Sequence, residues 1–365
     1  MRLRGSDMKE IRIVLFALTI ALAMSSAPLP AKSIKIGEAE LLYTEDEIPI
    51  RYDGSLSTIR DDGTMYFFHS FGCRLKNGPH RRSRHSWHYG PPLDPLKVHH
   101  FSKTDDALWD YNGYYQNMKE EGIWILGMYK RDNGDLLGIT HSEVQGFPGG
   151  HRNQVFSIGL GYSTDKGKSW TYCGEIVRAG NPLTNVGGGP YIIVEDYLYV
   201  YYNDRDRMER KKKLCVARAS LKDVLKDASK HRVGNWHKYR DGTWDTPGLS
   251  DIAGTNVIPQ VYGHEDLHSD AAYSTALARY LLTVQTHGAN KLLLFSSKDG
   301  IHWVQEAVVD NAAKDEMQPY SSFVDFDGPT DDCREVDDSF YIYFPRKRLN
   351  DHEHDAMYRR LVTIE

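Results

Sequence analysis

The chain has 365 residues, 40% of them hydrophobic and 26% charged, with a formal net charge of −5. That composition excludes an intrinsically disordered chain, and the acidic balance argues against a general nucleic-acid binder. Tyrosine is abundant at 23, beside 7 tryptophans, and aromatic residues favour pleated, β-rich structure.

In chain order, the first 31 residues read as a secretory signal peptide. Arg2, Arg4, Lys9 and Arg12 precede the apolar run IVLFALTIALAM and the small-residue stretch SSAPLPA. The run is too short to span a bilayer comfortably. The expectation is a secreted or periplasmic protein, not bound to a membrane, whose mature part is residues 32–365 with a net charge of about −7. Export permits disulfides among Cys73, Cys173, Cys215 and Cys333, and sequence leaves all three pairings open.

The rest of the chain repeats one plan: an extended run, a tight turn, and a second and third extended run. The repeats open at DGSLSTIRDDGTMYFFHS (53), GIWILGMYKRDNGDLLGITHSE (122), GGGPYIIVEDYLYVYYND (187), SDAAYSTALARYLLTVQTH (269) and PYSSFVDFDG followed by DDSFYIYFPRK (319). Asp-Asp-Gly and Asp-Asn-Gly are strong hairpin signals. Third strands are expected at VHHFSK, FSIGLGYS, KKLCVARAS, NKLLLFSS and AMYRRLVTIE. The turns STDKGKSW, SSKDGIHW and, more loosely, SKTDDALW leave third strands and read as structural ornaments, with Ser and Asp bonding local backbone and Trp packing below. Five repeats predict an all-β, single-domain, five-bladed propeller, closed by SIKIGEAELLYT (33–44) as the outer strand of the last blade. The one helical stretch is SLKDVLKDASKH, 220–231.

In such a ring, first strands start and second strands end around one pocket. That rule selects Asp53, Asn185, His268, Asp270 and Gln318 at first-strand starts. At second-strand ends it selects His69, His141, Glu143, Asn203, Asp204, Arg205, His287, Arg346 and Arg348. A ring of polar groups is costly to bury unless it is paired or used. Tyr239 and Trp244 in HKYRDGTWDTPGL, and Trp87 and Tyr89 in SWHYG, offer flat faces for sugar rings. The basic segment 73–90, with Arg74, Lys76, Arg81, Arg82 and Arg84, reads as a solvated loop or as a contact for an anionic glycan.

The repeat count, the leader and the carboxylates at first-strand starts together resemble the five-bladed propeller glycoside hydrolases of family 43 and their relatives, and the turns resemble sialidase Asp-boxes. The resemblance covers the mature chain at the level of architecture. It implies a glycosidase that cleaves a poly- or oligosaccharide with three carboxylates, and the basic segment extends the expectation to an anionic glycan. Asp53 matches the general base, Glu143 is the best acid, and Asp270 is the third carboxylate that orients and tunes. His69, His141, Asn203, Asp204, His268, His287, Arg346, Trp244 and Tyr239 are the expected substrate contacts. Glu143 lies on a second blade where the family uses a third, which makes Asp204 a rival acid. No cofactor is expected. No H-E-x-x-H or paired-cysteine spacing calls for a metal, and a structural cation in the channel is the one exception kept open, with His287 or LHSD as its oxygen and nitrogen donors. Three other readings stay open: a sialidase-type exo-glycosidase, a polysaccharide lyase using His or Tyr as base, and a non-catalytic glycan-binding propeller.

Overall fold

The computed structural model describes residues 32–44, 54–74, 81–90, 102–104, 109–111, 121–145, 154–181, 185–205, 212–261, 265–286, 290–313, 315–318, 320–348 and 356–365. Ile34–Ile364 forms one compact unit. Five antiparallel sheets follow one another along the chain.

Blade one is Ser57–Asp61, Thr64–Arg74, Arg81–Gly90 and Ser102–Thr104. Blade two is Glu121–Lys130, Leu136–Gln145, Gln154–Ser163 and Trp170–Val177, with Trp109–Tyr111 added in parallel at its outer edge. Blade three is Val186–Val194, Tyr197–Arg205 and Lys212–Ser220, then the hairpin His237–Arg240 and Thr243–Pro247. Blade four has an interrupted first strand, Glu265–Asp266 and Ala271–Ser274, followed by Arg279–Thr286, Lys291–Ser297 and Trp303–Asn311. Blade five opens with Glu316–Met317 and Ser322–Val324, both paired to Ser339–Arg348, and continues with Ala356–Ile364.

The ring closes as expected. Ile34–Thr44 pairs antiparallel with Ala356–Ile364, so the N-terminal strand completes the last blade and removes an open sheet edge. Between blades the core is apolar. Phe68 meets Trp170 between blades one and two, Tyr201 meets Trp303 between three and four, and Phe67 stacks on Tyr343 between one and five.

Turn chemistry accounts for the hairpins. Asp62 and Gly63 both take positive φ, the two-residue turn whose twist suits a hairpin. The two Asp-and-Trp turns share one hydrogen-bond pattern. Ser163 Oγ bonds Asp165, Gly167 N–H donates to Ser163 Oγ, and Trp170 Nε1 donates to the Gly167 carbonyl at 3.1 Å. Ser297, Asp299, Gly300 and Trp303 repeat it, with the indole bond at 3.2 Å. Each turn joins a third strand to a fourth, on the face opposite the second-strand ends; residues 105–108 of the third such stretch lie outside the described residues. The helix Leu221–Ala228 is shorter than its sequence signal, capped by the Ser220 hydroxyl, which accepts from Asp223 N–H, and held by buried Val224 and Ala228.

Two expectations need correction. The third strand of blade one is Arg81–Gly90, in register with Met65–Arg74, so the basic segment is a strand pair rather than a loop; Ser102–Thr104, at the end of VHHFSK, is the fourth strand. The described cysteines Cys173, Cys215 and Cys333 are all free thiols. Burial pushes Cys173 up to about 12 and Cys333 up to about 11, which keeps both thiols protonated and unreactive.

Candidate active site at the open end of the channel

The two ends of the central channel differ. The far end is filled by the segment 325–338, which leaves blade five between its first and second strands. The Arg60 guanidinium of blade one donates to the carbonyls of Phe326 and Gly328, each at 2.7 Å. Lys130 of blade two bonds Asp331 at 2.9 Å, and Glu335–Val336 pairs in parallel with Tyr273–Ser274 of blade four. From this segment Arg334 reaches into the channel. Its NH1 and NH2 bond the two oxygens of Asp270 at 2.5 and 2.8 Å, and its guanidinium lies 5.0 Å from the Tyr191 ring of blade three. All five blades therefore touch one plug.

Asp270 is consumed by this arrangement. Besides Arg334, it accepts from Ala271 N–H at 2.9 Å and Phe323 N–H at 3.0 Å, and it is 2% exposed. Burial opposes the charge of Arg334, but the adjoining Asp270 carboxylate outweighs it and holds the guanidinium pKa above its ordinary value. Two charges buried this deeply persist because each satisfies the other and the remaining lone pairs are bonded. Asp270 is thus the anchor of the plug, and the positive charge that meets it is the Arg334 guanidinium.

Toward the other end, among the described residues, two carboxylate–imidazole pairs face each other. On blade two, His141 and Glu143 lie two residues apart on one strand, so their side chains share a face. His141 Nε2 stands 3.5 Å from Glu143 Oε1. On blade four, Asp266 and His268 are also two residues apart, with His268 Nε2 3.5 Å from Asp266 Oδ1. The His141 and His268 rings meet edge to face, centroids 6.1 Å apart. Asn203 of blade three holds the blade-four pair, donating from Nδ2 to Asp266 Oδ1 and accepting at Oδ1 from Leu267 N–H.

The walls are aromatic. His141 is flanked by Phe156 at 5.2 Å and Trp124 at 6.0 Å, and Tyr320 of blade five lies 5.9 Å from His268. Trp124 folds back over Gly122, where a Cβ would come within 2.3 Å of its ring. Gly187, first of the three glycines in blade three, likewise leaves the space that His268 fills, since a Cβ there would lie 2.9 Å from Nε2. Buried His141 Nδ1 and Trp124 Nε1 have no hydrogen-bond partner among the described residues. Unsatisfied buried donors and acceptors are uncommon and mark places where water or substrate completes the set.

The remaining expected contacts divide. Asp204 is buried and turned the other way from Asn203, as neighbours on a strand must be, and it accepts from Gly180 N–H at 3.1 and 3.2 Å. It anchors a loop rather than serving as the rival acid. Arg346 is held by buried Asp310, which also binds Arg360 and accepts from Gln318, so it clamps blade five to blade four instead of gripping substrate. Trp244 and Tyr239 sit on the two outermost strands of blade three, packed on each other and on Tyr199, with the Arg218 guanidinium 4.2 Å over the Trp244 ring. Tyr199 is near the start of the second strand, so this cluster lies toward the face opposite the second-strand ends. These aromatics stabilise their own hairpin. His69 is buried on the second strand of blade one, 2% exposed. By register Trp87 lies opposite Phe68, well below the hairpin tip. Asp53 and His287 lie outside the described residues.

Asp266 was missed by the sequence rule. The first strand of blade four is broken between Asp266 and Ala271, and the repeat signal registers only its second half. The available signal was the spacing: D-x-H at 266–268 mirrors H-x-E at 141–143.

No protein-family model and no curated protein matches this sequence. Solved structures do. A thermostable family-43 glycoside hydrolase superposes with a TM-score of 0.51 at 9% identity, over 86% of this chain and 92% of that one. The catalytic domain of the family-62 α-L-arabinofuranosidase of Coprinopsis cinerea gives 0.50 at 9%, over 91% and 98%. The GH43_1 enzyme of Xanthomonas citri, complexed with xylotriose, gives 0.50 at 10%, over 88% and 89%. The likeness is one of fold. This chain has the five-bladed propeller architecture of those glycoside hydrolases, while its channel residues must be read on their own terms.

Proposed function

We propose that the protein is a glycoside hydrolase acting on a poly- or oligosaccharide at the open end of the channel. The observation that carries this reading is the meeting of Glu143–His141 and Asp266–His268, from different blades, in one aromatic-walled mouth. Glycoside cleavage needs one carboxyl to protonate the leaving oxygen and one carboxylate to attack the sugar or activate water. Glu143, partly exposed beside His141, is assigned the acid. Asp266, which accepts a hydrogen bond from Asn203, is assigned the carboxylate that stabilises or attacks the sugar. His141 and His268 are assigned to sugar hydroxyls. Solved enzymes with the same fold, one of them complexed with xylotriose, support a carbohydrate substrate. Export through the 1–31 leader belongs to the same proposal, and N-terminal sequencing of the protein recovered outside the cytoplasm checks it.

The test is release of reducing sugar from a panel of neutral, uronate and sulfated polysaccharides. Glu143→Gln and Asp266→Asn are expected to abolish release while unfolding at the temperature of the parent; Asp53→Asn tests the base suggested by the blade-one motif. Full turnover by both mouth variants would overturn the assignment. A second reading is favoured by the unpartnered nitrogen of His141, which could take a proton from a uronate ring as in a polysaccharide lyase. New ultraviolet absorbance accompanying cleavage identifies that outcome, and binding without any cleavage identifies a glycan-binding propeller.

A further inference from the structure

We propose that Tyr320 is a positioning residue of the candidate site: a bulge in the first strand of blade five presents its ring to His268, and through that imidazole it sets how sugar hydroxyls are held. This rests on the hydrolase reading for the role of His268 and on the fold for everything else.

Among the described residues, blades two to five each carry extra residues in the first strand. In blade two Ile125 faces Thr140 and Gly127 faces Ile139, so Leu126 is in surplus. In blade three Gly188 faces Tyr202 and Tyr191 faces Val200, again one residue too many. In blade four Asp266 faces Gln285 and Ala271 faces Leu282, which leaves 267–270 on the first strand against 283–284 on the second. In blade five Met317 faces Lys347 and Ser322 faces Tyr343, which leaves 318–321 against 344–346. Residues in surplus drop out of the ladder and re-aim a side chain. Blade four presents His268 in this way and blade five presents Tyr320. The two rings meet edge to face, centroids 5.9 Å apart at 83°.

Blade three makes its bulge with glycines, Gly188 at φ +92° and Gly189 at +143°. Blade five makes its own with Tyr320 at φ +66°, a left-handed conformation that glycine enters freely and a bulky ring enters with strain. Other non-glycine residues with positive φ lie in turns: Asp62, Glu195, Asp241 and Ala278 in hairpins, and Lys166 in an Asp-and-Trp turn. Strained conformations persist where the surroundings over-determine them, and they gather at functional sites. Lys347 sets its ammonium 5.4 Å from the Tyr320 ring centroid, and the ring packs on the apolar cluster shared by blades one and five. Tyr320 thereby joins three other neighbours around His268. The His141 ring stands 6.1 Å away at 82°, Asp266 Oδ1 lies 3.5 Å from Nε2, and Gly187 leaves room that a Cβ would take. Deleting the Tyr320 ring frees one side of the imidazole, so its orientation is what is lost.

Two arms of the test need no activity. Tyr320→Gly and Tyr320→Ala both delete the ring, and only glycine suits the bulge. Tyr320→Gly should therefore melt higher than Tyr320→Ala, the reverse of the usual order of these residues. In NMR spectra the His268 ring-proton resonances, assigned with His268→Gln, should move in Tyr320→Gly and return in Tyr320→Phe. The third arm uses whichever polysaccharide the parent cleaves. There Tyr320→Gly should lower kcat/KM about tenfold or more, and Tyr320→Phe should keep it within about twofold. In a His268→Ala background Tyr320→Gly should cost nothing further. Equal melting of the glycine and alanine variants with unmoved His268 resonances overturns the proposal. So does an additive loss in the double variant, which would put Tyr320 on the substrate directly. A loss in Tyr320→Phe as large as in Tyr320→Gly also overturns it, by making the hydroxyl the working group. A parent that cleaves no polysaccharide removes the hydrolase reading alone, and the melting and resonance arms then decide the positioning.

Discussion

Asp266 and Asp270 lie four residues apart in one blade, yet they are opposite kinds of carboxylate. Asp270 is deep in the channel, with both oxygens bonded to Arg334 and to backbone N–H groups. Asp266 stands beside the His268 imidazole and accepts from the Asn203 side-chain amide. Both are nearly inaccessible to solvent, so burial alone does not separate them. The partner does. A carboxylate locked to a buried guanidinium is an anchor, and one beside an imidazole is placed for chemistry.

The largest effect expected from this contrast is on stability. Arg334→Met or Asp270→Asn strands one buried partner and should cost about 3–5 kcal/mol in denaturant unfolding. The double variant should recover much of that loss, because removing both charges also removes both desolvation penalties. A single variant that unfolds like the parent would make the plug dispensable.

At the mouth the loss should be catalytic instead. Glu143→Gln should lower kcat/KM about 10²–10⁴-fold with little change in melting temperature. Gly187→Ala sharpens the same point without touching a titratable group. Its Cβ would displace His268, and kcat should fall while Asp270 and the plug remain intact, readable as unchanged unfolding.

A smaller effect belongs to the Asp-and-Trp turns. Burial opposes ionisation of Asp299, but His302 and the backbone N–H groups of His302 and Ile301 outweigh it and hold its pKa down to about 2. A carboxylate depressed on folding stabilises above its unfolded pKa, near 3.8, and that contribution disappears as pH falls toward 2. Asp299→Asn should therefore lower the melting temperature at pH 7, by the equivalent of about 1 kcal/mol, and have little effect near pH 2. The smallest effect is expected at Trp244→Ala, which should leave KM within about twofold because the ring is packed against Arg218 and Tyr199 at the blade's outer edge.

Much of the fold was legible because it is repeated. Period-two runs broken by Asp-Asp-Gly and Asp-Asn-Gly recur down the chain, and the closing strand at 34–44 has no other partner than the last blade. Arg81–Gly90 was not legible, since its charges resemble those of a solvated loop until Met65–Arg74 is seen to pair with it. In the site, His141, Glu143, Asn203 and His268 were reachable from the rule that second strands end where first strands start. That rule could not separate Asn203 from Asp204, or Asp266 from Asp270, because it locates an end of a strand and not the face a side chain takes.

The sequence by itself determined the number of blades, the strand that closes the ring, and the end of the ring that gathers polar groups. Those features follow from local turn chemistry and from alternation along each strand, both of which are written in consecutive residues. Only the tertiary structure decided which carboxylates are used up. Arg334 reaches Asp270, Arg346 reaches Asp310 and Gly180 reaches Asp204 from tens of residues away or from another blade, and a charge is spent or spare according to what distant chain brings to it.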